Sequence, residues 1–362
     1  MTSRDYYQRG FNLIFNMKKF LLLLALFVNF SWGFAYSEPT IKDLATIKEG
    51  DIMEVRLNEV HPTQPVVAFD EIYYKMGRFS KDRRKIFREY CKHNGQLEVL
   101  NMTDASNLRD PSSFSCLQPV GMSRSAVKTV VIAPNGQLYL TNGHHSFIEL
   151  WMSPEGGPNS RMHVQVERDY RYMSSMDDFW NRMIDDQNIW LFDENNKPIA
   201  VTDLPENFDI KNFRNDPYRS LMYFTRKIAW NSPEKFVVPD SDDYYPAIPF
   251  VEFYWAREVR KTVKLCDYDL NTLSGYIAAI RAVGKAIRSV QSSNVGGSGK
   301  TLVEVGQFQY FNERELTRIS RPGTGKLAYI LEYKAARRPE LYAGQNHLQV
   351  NNGINPRIHV AD

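Results

Sequence analysis

The sequence predicts an α+β fold: a small mixed sheet with packed helices, then a helical region and a basic C-terminal extension. Three observations lead there. Segments with strand-like alternation or β-branched runs fall before residue 170, at 52–57, 130–132, 138–140 and 162–166. Helical periodicity dominates afterwards, most cleanly in Leu273, Tyr276, Ile277, Ile280, Val283 and Ile287. Hydrophobic residues make up 43% of 362, enough for one large domain or two smaller ones with real cores, which excludes a disordered chain.

The first element is a targeting segment. Met17-Lys18-Lys19 precedes an apolar run over 20–28, and Gly33 and Ala35 follow at cleavage spacing, the three zones of a secretory signal peptide over 1–35. Residues ahead of Met17 read as an upstream extension, with Met17 the candidate true start. The apolar run is shorter than the ~20 residues of a spanning helix. The mature protein, from about Tyr36 or Glu38, is therefore expected without stable membrane insertion in a periplasmic or extracellular compartment, where disulfides persist. The cysteines are Cys91, Cys116 and Cys266, with no C-x-x-C pair. Cys91 with Cys116 would close a short loop and leave Cys266 buried and free; a fully reduced set is the alternative.

A core region is expected over 36–175. Residues 52–57 alternate as a strand, and Thr63-Gln64-Pro65 opens a long helical stretch carrying Val67, Ile72, Tyr73 and Met76. A second helix runs from about Lys81, with Lys81, Arg83, Arg84, Lys85 and Arg88 on solvated faces. Residues 94–125 lack periodicity and are rich in Asn, Asp, Ser and Pro, an insertion loop. Asn135-Gly136 joins two strands as a hairpin, and Phe147-Ile148-Glu149-Leu150-Trp151 begins a helix.

The region 176–292 reads as helices packed on that core. Residues 177–184 form one, and Trp190-Leu191-Phe192 a short strand. Asp216-Pro217 is a helix start, carboxylate at the cap and proline in the first turn, with Leu221, Met222 and Phe224 turned inward and Arg219, Tyr223 and Arg226 on one face. Pro249 starts the next. Arg281, Lys285 and Arg288 form a basic stripe read as a solvated face. Val295-Gly296-Gly297-Ser298-Gly299-Lys300-Thr301 fails the phosphate-loop pattern, because Asn294 stands where the first glycine belongs and a strand-like Leu302-Val303-Glu304-Val305 follows. The extension 293–362 alternates glycine-rich turns with short β-like pieces. Residues 256–362 hold 16 basic against 9 acidic residues, whereas the mature chain before them holds 25 against 32. Such asymmetry marks either a surface for anionic partners or two halves that attract each other.

The chemistry concentrates at Asn142-Gly143-His144-His145-Ser146. A turn handing a strand to a helix leaves free backbone N–H groups at the positive end of the helix dipole, where phosphate binds, and imidazole adds a titratable donor. Together with Val60-His61-Pro62-Thr63-Gln64-Pro65, Asp70-Glu71, the segment 215–221 and Phe250-Val251-Glu252-Phe253-Tyr254-Trp255, this order of motifs resembles the ParB/sulfiredoxin superfamily and its ParB-like nuclease branch, over roughly residues 50–290. Members usually carry aspartate before the Gly-His-His; Asn142 stands there, and an amide cannot take a proton or hold a metal as a carboxylate does.

The resemblance implies a ParB/sulfiredoxin-like core and a nuclease hydrolysing DNA phosphodiester bonds. Phosphate binding would fall to Asn142, Gly143, Ser146, Gln64, Arg219, Tyr223 and Arg226. His144 or His145 would act as acid, with Glu59 or Glu252 as carboxylate base. Asp70 and Glu71 would hold Mg2+ or a similar divalent cation. Two further readings stand beside it: a small-molecule phosphotransferase of the serine-kinase type, which has a similar turn, and a binding or host-interaction protein whose catalytic site has decayed. His61, His93 and His163 are isolated and read as structural or surface residues.

Overall fold

The computed structural model describes residues 44–232 and 248–337; the leader, Met17 and the end of the extension lie outside them. Leu44–Thr46 is a single 3-10 turn in a unit separate from the rest. In chain order the second unit contains β1 (Ile52–Arg56), β2 (Val60–His61), β3 (Val66–Val67), α1 (Phe69–Lys81), α2 (Arg84–His93), β4 (Val99–Met102), β5 (Phe114–Cys116), β6 (Lys128–Ile132), β7 (Leu138–Asn142), α3 (His144–Met152) and β8 (Arg161–Asp169). Then come α4 (Met176–Asp185), β9 (Arg214–Asn215), α5 (Pro217–Thr225), α6 (Val251–Val259), α7 (Leu273–Ser289), α8 (Glu313–Ile319) and α9 (Lys326–Ala336).

The sheet grows from alternation. In β1, Met53 and Val55 are buried while their neighbours are half-buried, so one face meets the core. β6 and β7 form the expected hairpin, with Gly136 at φ 80 in the turn and Ile132 paired with Leu138. The five-stranded order is β1-β8-β6-β7-β2, mixed because β8 runs parallel to β6 and β2 parallel to β7. Phe179 and Met183 of α4 pack with Val131 and Tyr139 of the hairpin.

Several expectations are corrected. The helix placed at Thr63 begins only at Phe69, because Val66 and Val67, fully buried, pair as β3 with Arg214 and Asn215 of β9. β-branched residues after a proline take extended backbone more readily than a first helical turn. The 94–125 insertion has structure of its own, the antiparallel β4–β5 pair and a Cys91–Cys116 disulfide with Cα atoms 5.6 Å apart. Cys266 is free but exposed, not buried. Trp190-Leu191-Phe192 makes only an isolated bridge from Phe192 to Pro198, and 302–305 is turn instead of strand. The helix read from Pro249 begins at Val251, with Phe250 at φ 56 before it.

The largest difference is in the extension, where two helices replace the expected turns and β-like pieces. Leu316, Ile319, Leu327 and Ile330 of α8 and α9 are buried in the same core as Leu221, Trp230, Trp255, Tyr276 and Ile280. Both expected boundaries, at 175 and 292, thus fall inside one compact unit beginning at Ile47. α9 crosses α1 closely. A Cβ on Gly77 would come within 2.5 Å of the Tyr329 carbonyl oxygen, so glycine permits that approach. The two oppositely charged halves meet there: Lys334 Nζ lies 2.7 Å from Asp70 Oδ1.

The basic groups around the first two helices are engaged: Lys81 pairs with Glu332, Arg83 with Glu155, Lys85 with Asp82 and Arg88 with Glu98, and Arg84 donates to the Val99 carbonyl. Arg281 pairs with Glu313, and Lys285 and Arg288 are exposed, as a solvated face requires.

Candidate active site

Gly143 ends β7 at φ 113, a left-handed conformation that glycine adopts without strain, and starts α3 on the next residue. Its bare Cα also admits Lys128, whose Cδ would lie 2.6 Å from an added Cβ. Adjacent helix residues project about 100° apart, and the two imidazoles go to different places. His144 is 3% exposed, and its Nε2 accepts the Thr63 backbone N–H at 2.9 Å. The Thr63 hydroxyl donates to the Leu140 carbonyl at 2.6 Å. His145 Nε2 accepts the Ala68 backbone N–H at 2.9 Å. With Nε2 accepting, each neutral ring carries its proton on Nδ1.

These rings are tethers for the 63–68 segment. Burial, with His145 adding repulsion, takes His144 down to about 3. Burial also dominates at His145, taken down to about 4 against the pull of Glu71. Burial thus favours the uncharged form of both rings at neutral pH. His145 retains a link to chemistry through Glu71, whose Oε2 lies 3.7 Å from its Nε2.

From there a chain of charges runs across three helices. Asp216 accepts from the N–H groups of Tyr218 and Arg219, fixing the first turn of α5. That places Arg219 and Arg226 two turns apart on one side. Arg219 Nη1 donates to Glu71 Oε2 of α1 at 3.1 Å, and its Nη2 lies 3.9 Å from Glu252 Oε2 of α6. Arg226 Nη2 donates to Glu252 Oε1. Phe253 flanks the Arg219 guanidinium at 5.5 Å, and Tyr223 and Trp230 flank Arg226 at 5.3 and 5.6 Å. Burial pushes Glu71 up, but His145, Arg219, Arg226 and Lys75 overcome it and hold the carboxyl at about 2. Since the His145 ring is uncharged at neutral pH, the guanidiniums and Lys75 keep Glu71 ionised there. Arg219 is 6% exposed, and its Nε is buried with no hydrogen-bond partner.

The other expected residues divide. Glu252 and Tyr223 join this cluster. Gln64 is buried and donates to the Val66 carbonyl at 2.7 Å, shaping the segment after β2. Asn142 is exposed at the end of β7, and Ser146 is buried in the first turn of α3. Glu59 is not brought to the cluster: its carboxylate accepts the Arg56 N–H at 2.7 Å and caps a short turn. Asp70 and Glu71 face different partners. Asp70 turns to Lys334 and to the Tyr276 hydroxyl, 2.9 Å away, while Glu71 turns to Arg219.

Sequence reasoning missed a second buried set. Glu89 and His93 of α2 and Glu149 of α3 place potential ligand atoms within 4.8 Å of one another. Lys75 already supplies the positive charge there, 2.8 Å from Glu89 and 3.5 Å from Glu149, so a dication fits poorly. Burial holds Glu149 up at about 8 despite Lys75. The signal for Lys75 was its position one helical turn after Glu71; nothing local marked Glu89 or Glu149 as buried.

A family model described as "Putative ParB-like nuclease" matches residues 53–261, more than half of the chain. Among solved structures, protein Atu1540 from Agrobacterium tumefaciens is similar at 21% identity and a TM-score of 0.42, over 66% of this chain and 93% of that one. No curated protein matches.

Proposed function

Because the chain belongs to the ParB-like nuclease family, with the nuclease-like role that family suggests, we propose that it hydrolyses DNA phosphodiester bonds at the Glu71–Arg219–Arg226–Glu252 cluster. The observation that carries this reading is the pair of guanidiniums on one helix, tethered by carboxylates from α1 and α6. Arginine forks match phosphate oxygens and stabilise the charge that builds on phosphorus during in-line attack. Glu71, held at about 2, is too weak a base at neutral pH and instead orients Arg219. Glu252 is then the carboxylate assigned to take the proton of the attacking water. His145 fixes the start of α1 through Ala68 and so positions Glu71.

The test is cleavage of supercoiled plasmid by the mature protein, with and without Mg2+. Arg219→Ala, Arg226→Ala and Glu252→Gln should each lower the rate at least about 100-fold, the loss typical of removing one transition-state donor. Retention of full activity in all three refutes the assignment. Consumption of nucleotide with serine in place of DNA cleavage would move the reading to a phosphotransferase.

Export is part of the same proposal. It rests on the leader over 1–35 and is supported by the Cys91–Cys116 disulfide, a bond that persists in oxidising compartments. Among the described residues no helix is long and apolar enough to cross a membrane. N-terminal sequencing of the mature protein should begin near Tyr36 or Glu38; a cytoplasmic product starting at Met1 or Met17 would overturn it.

A further inference from the structure

We infer that the cavity between α2, β5 and the start of β8 binds a planar, amino-bearing nitrogen heterocycle of the nucleobase kind, as a free nucleoside or as an unstacked base of single-stranded DNA. It shares no residue with the Glu71–Arg219–Arg226–Glu252 cluster, so the inference goes beyond the nuclease reading and does not depend on it. The cavity holds about 330 Å³, near the small end of the range for ligand sites, which suits one ring system better than an extended chain. Its walls are fixed by the fold. Tyr90 of α2 and Phe114 of β5 meet edge to face, ring centroids 5.0 Å apart and planes at 82°, and form an apolar corner against which a flat ring can stack. Pro111 and Val120 extend the apolar wall, and the Cys91–Cys116 disulfide ties β5 back to α2. The N–H groups of Gln118 and Gly121 donate to the carbonyls of Gln96 and Asn94 at 3.2 and 2.9 Å and close the same frame.

Three polar side chains line the same space, His163, Gln96 and Ser115. Asn94 is fully buried and its amide nitrogen donates to the Tyr90 carbonyl at 2.9 Å, so its Oδ1 is an acceptor. That oxygen takes the His163 backbone N–H at 2.5 Å and lies 3.1 Å from His163 Nδ1, which puts the ring proton on Nδ1 and leaves Nε2 an acceptor. Burial favours this uncharged ring, against the pull of Glu54. Gln96 commits its Nε2 to the Gln118 carbonyl at 3.3 Å, so its Oε1 is the second acceptor. Among the described residues neither acceptor receives a hydrogen bond, and the Ser115 hydroxyl makes none. Two acceptors and a hydroxyl complement an exocyclic amino group beside a ring nitrogen, the edge that adenine and cytosine carry and thymine lacks. A phenol or an indole offers one donor and would leave the other acceptor desolvated.

The experiment is calorimetric titration of the mature protein with adenosine, cytidine and thymidine, and with short oligodeoxyadenylate and oligothymidylate strands. Adenosine or cytidine should bind one per chain, at least about 10-fold more tightly than thymidine, which leaves the acceptors short of donors. Val120 is 38% exposed at the cavity, so Val120→Trp can fill the space without disturbing the core and should abolish binding. Gln96→Leu removes one acceptor and should weaken adenosine binding by about 3- to 10-fold; Ser115→Ala serves the same comparison if Gln96→Leu fails to fold. Met122→Gln, exposed and outside the lining, is the control and should bind as wild type does. Oligodeoxyadenylate binding that Val120→Trp removes, without adenosine binding, supports the strand as the source; adenosine binding without strand binding supports the free nucleoside. Thymidine bound as tightly as adenosine, affinity unchanged in Val120→Trp, or no binding of any of these probes overturns the inference. Plasmid cleavage enters none of these outcomes, so the cavity and the nuclease reading fail separately.

Discussion

Replacing His144 with leucine separates a structural ring from a catalytic one. The side chain is 3% exposed, and its Nε2 is the acceptor for the Thr63 N–H at 2.9 Å. Leucine fills much of the volume but leaves that buried donor unpaired, at a cost of about 2 kcal/mol at pH 7.5. The pH dependence adds a second arm. His144 is down at about 3 in the folded chain against 6.5 for the ordinary group, so between those values the unfolded state binds the proton that the native state refuses. Wild-type stability from this ring is complete above 6.5 and falls as pH drops toward 3, by about 2 kcal/mol at pH 5. His144→Leu has no such loss. The gap between the two proteins in urea unfolding should therefore be about 2 kcal/mol at pH 7.5 and close toward zero near pH 5, while DNA cleavage per folded molecule is retained. A gap that does not narrow in acid, or loss of activity without loss of stability, refutes the tether.

Three further outcomes follow from the same geometry. Glu71→Gln leaves the buried Arg219 without the carboxylate 3.1 Å away, and unfolding at pH 7 should show a loss of about 3 kcal/mol; because Glu71 is held at about 2, the wild-type advantage should persist down to pH 4.5 and then fade as pH drops toward 2. A loss under 0.5 kcal/mol would contradict the pairing. Removing the Cys91–Cys116 bond by double serine substitution frees residues 25 apart in sequence and should cost about 3 kcal/mol, read as a lower Tm that reducing agent does not lower further. Gly77→Ala forces α1 and α9 apart at the Tyr329 carbonyl and should destabilise by about 2 kcal/mol in urea unfolding; unchanged stability would mean that the crossing is looser than described.

What the sequence disclosed follows from which signals are local. The Asn135-Gly136 hairpin, the Asp216-Pro217 helix start and the long α7 each rest on a turn, a cap or a period contained within a few residues, and each forms. Arg219, Tyr223 and Arg226 were readable as one face because they lie on one helix and its C-terminal cap. Partners across helices were not. Nothing near Asp70 and Glu71 says that one turns to Lys334 and the other to Arg219, since that is decided by what packs on each side of α1. The two helices after residue 312 were hidden for a similar reason. Glycine-rich flanks and the short length of α8 and α9 give weak local signals, and burial in the core shared with α5 and α7 supplies what propensity lacks. The imidazole pair was visible but its partners were not, because they are backbone groups about eighty residues earlier.

That pair has a consequence for how the chain tolerates length change. His144 grips Thr63 and His145 grips Ala68, so both ends of a six-residue strap are pinned to consecutive positions of another element. One residue added between strap and helix would turn every later side chain of α1 by about 100°, carrying Glu71 off Arg219 and Lys75 off Glu89. Related chains should therefore vary freely in the number of residues across 94–125, and keep the interval from Thr63 to Glu71 constant.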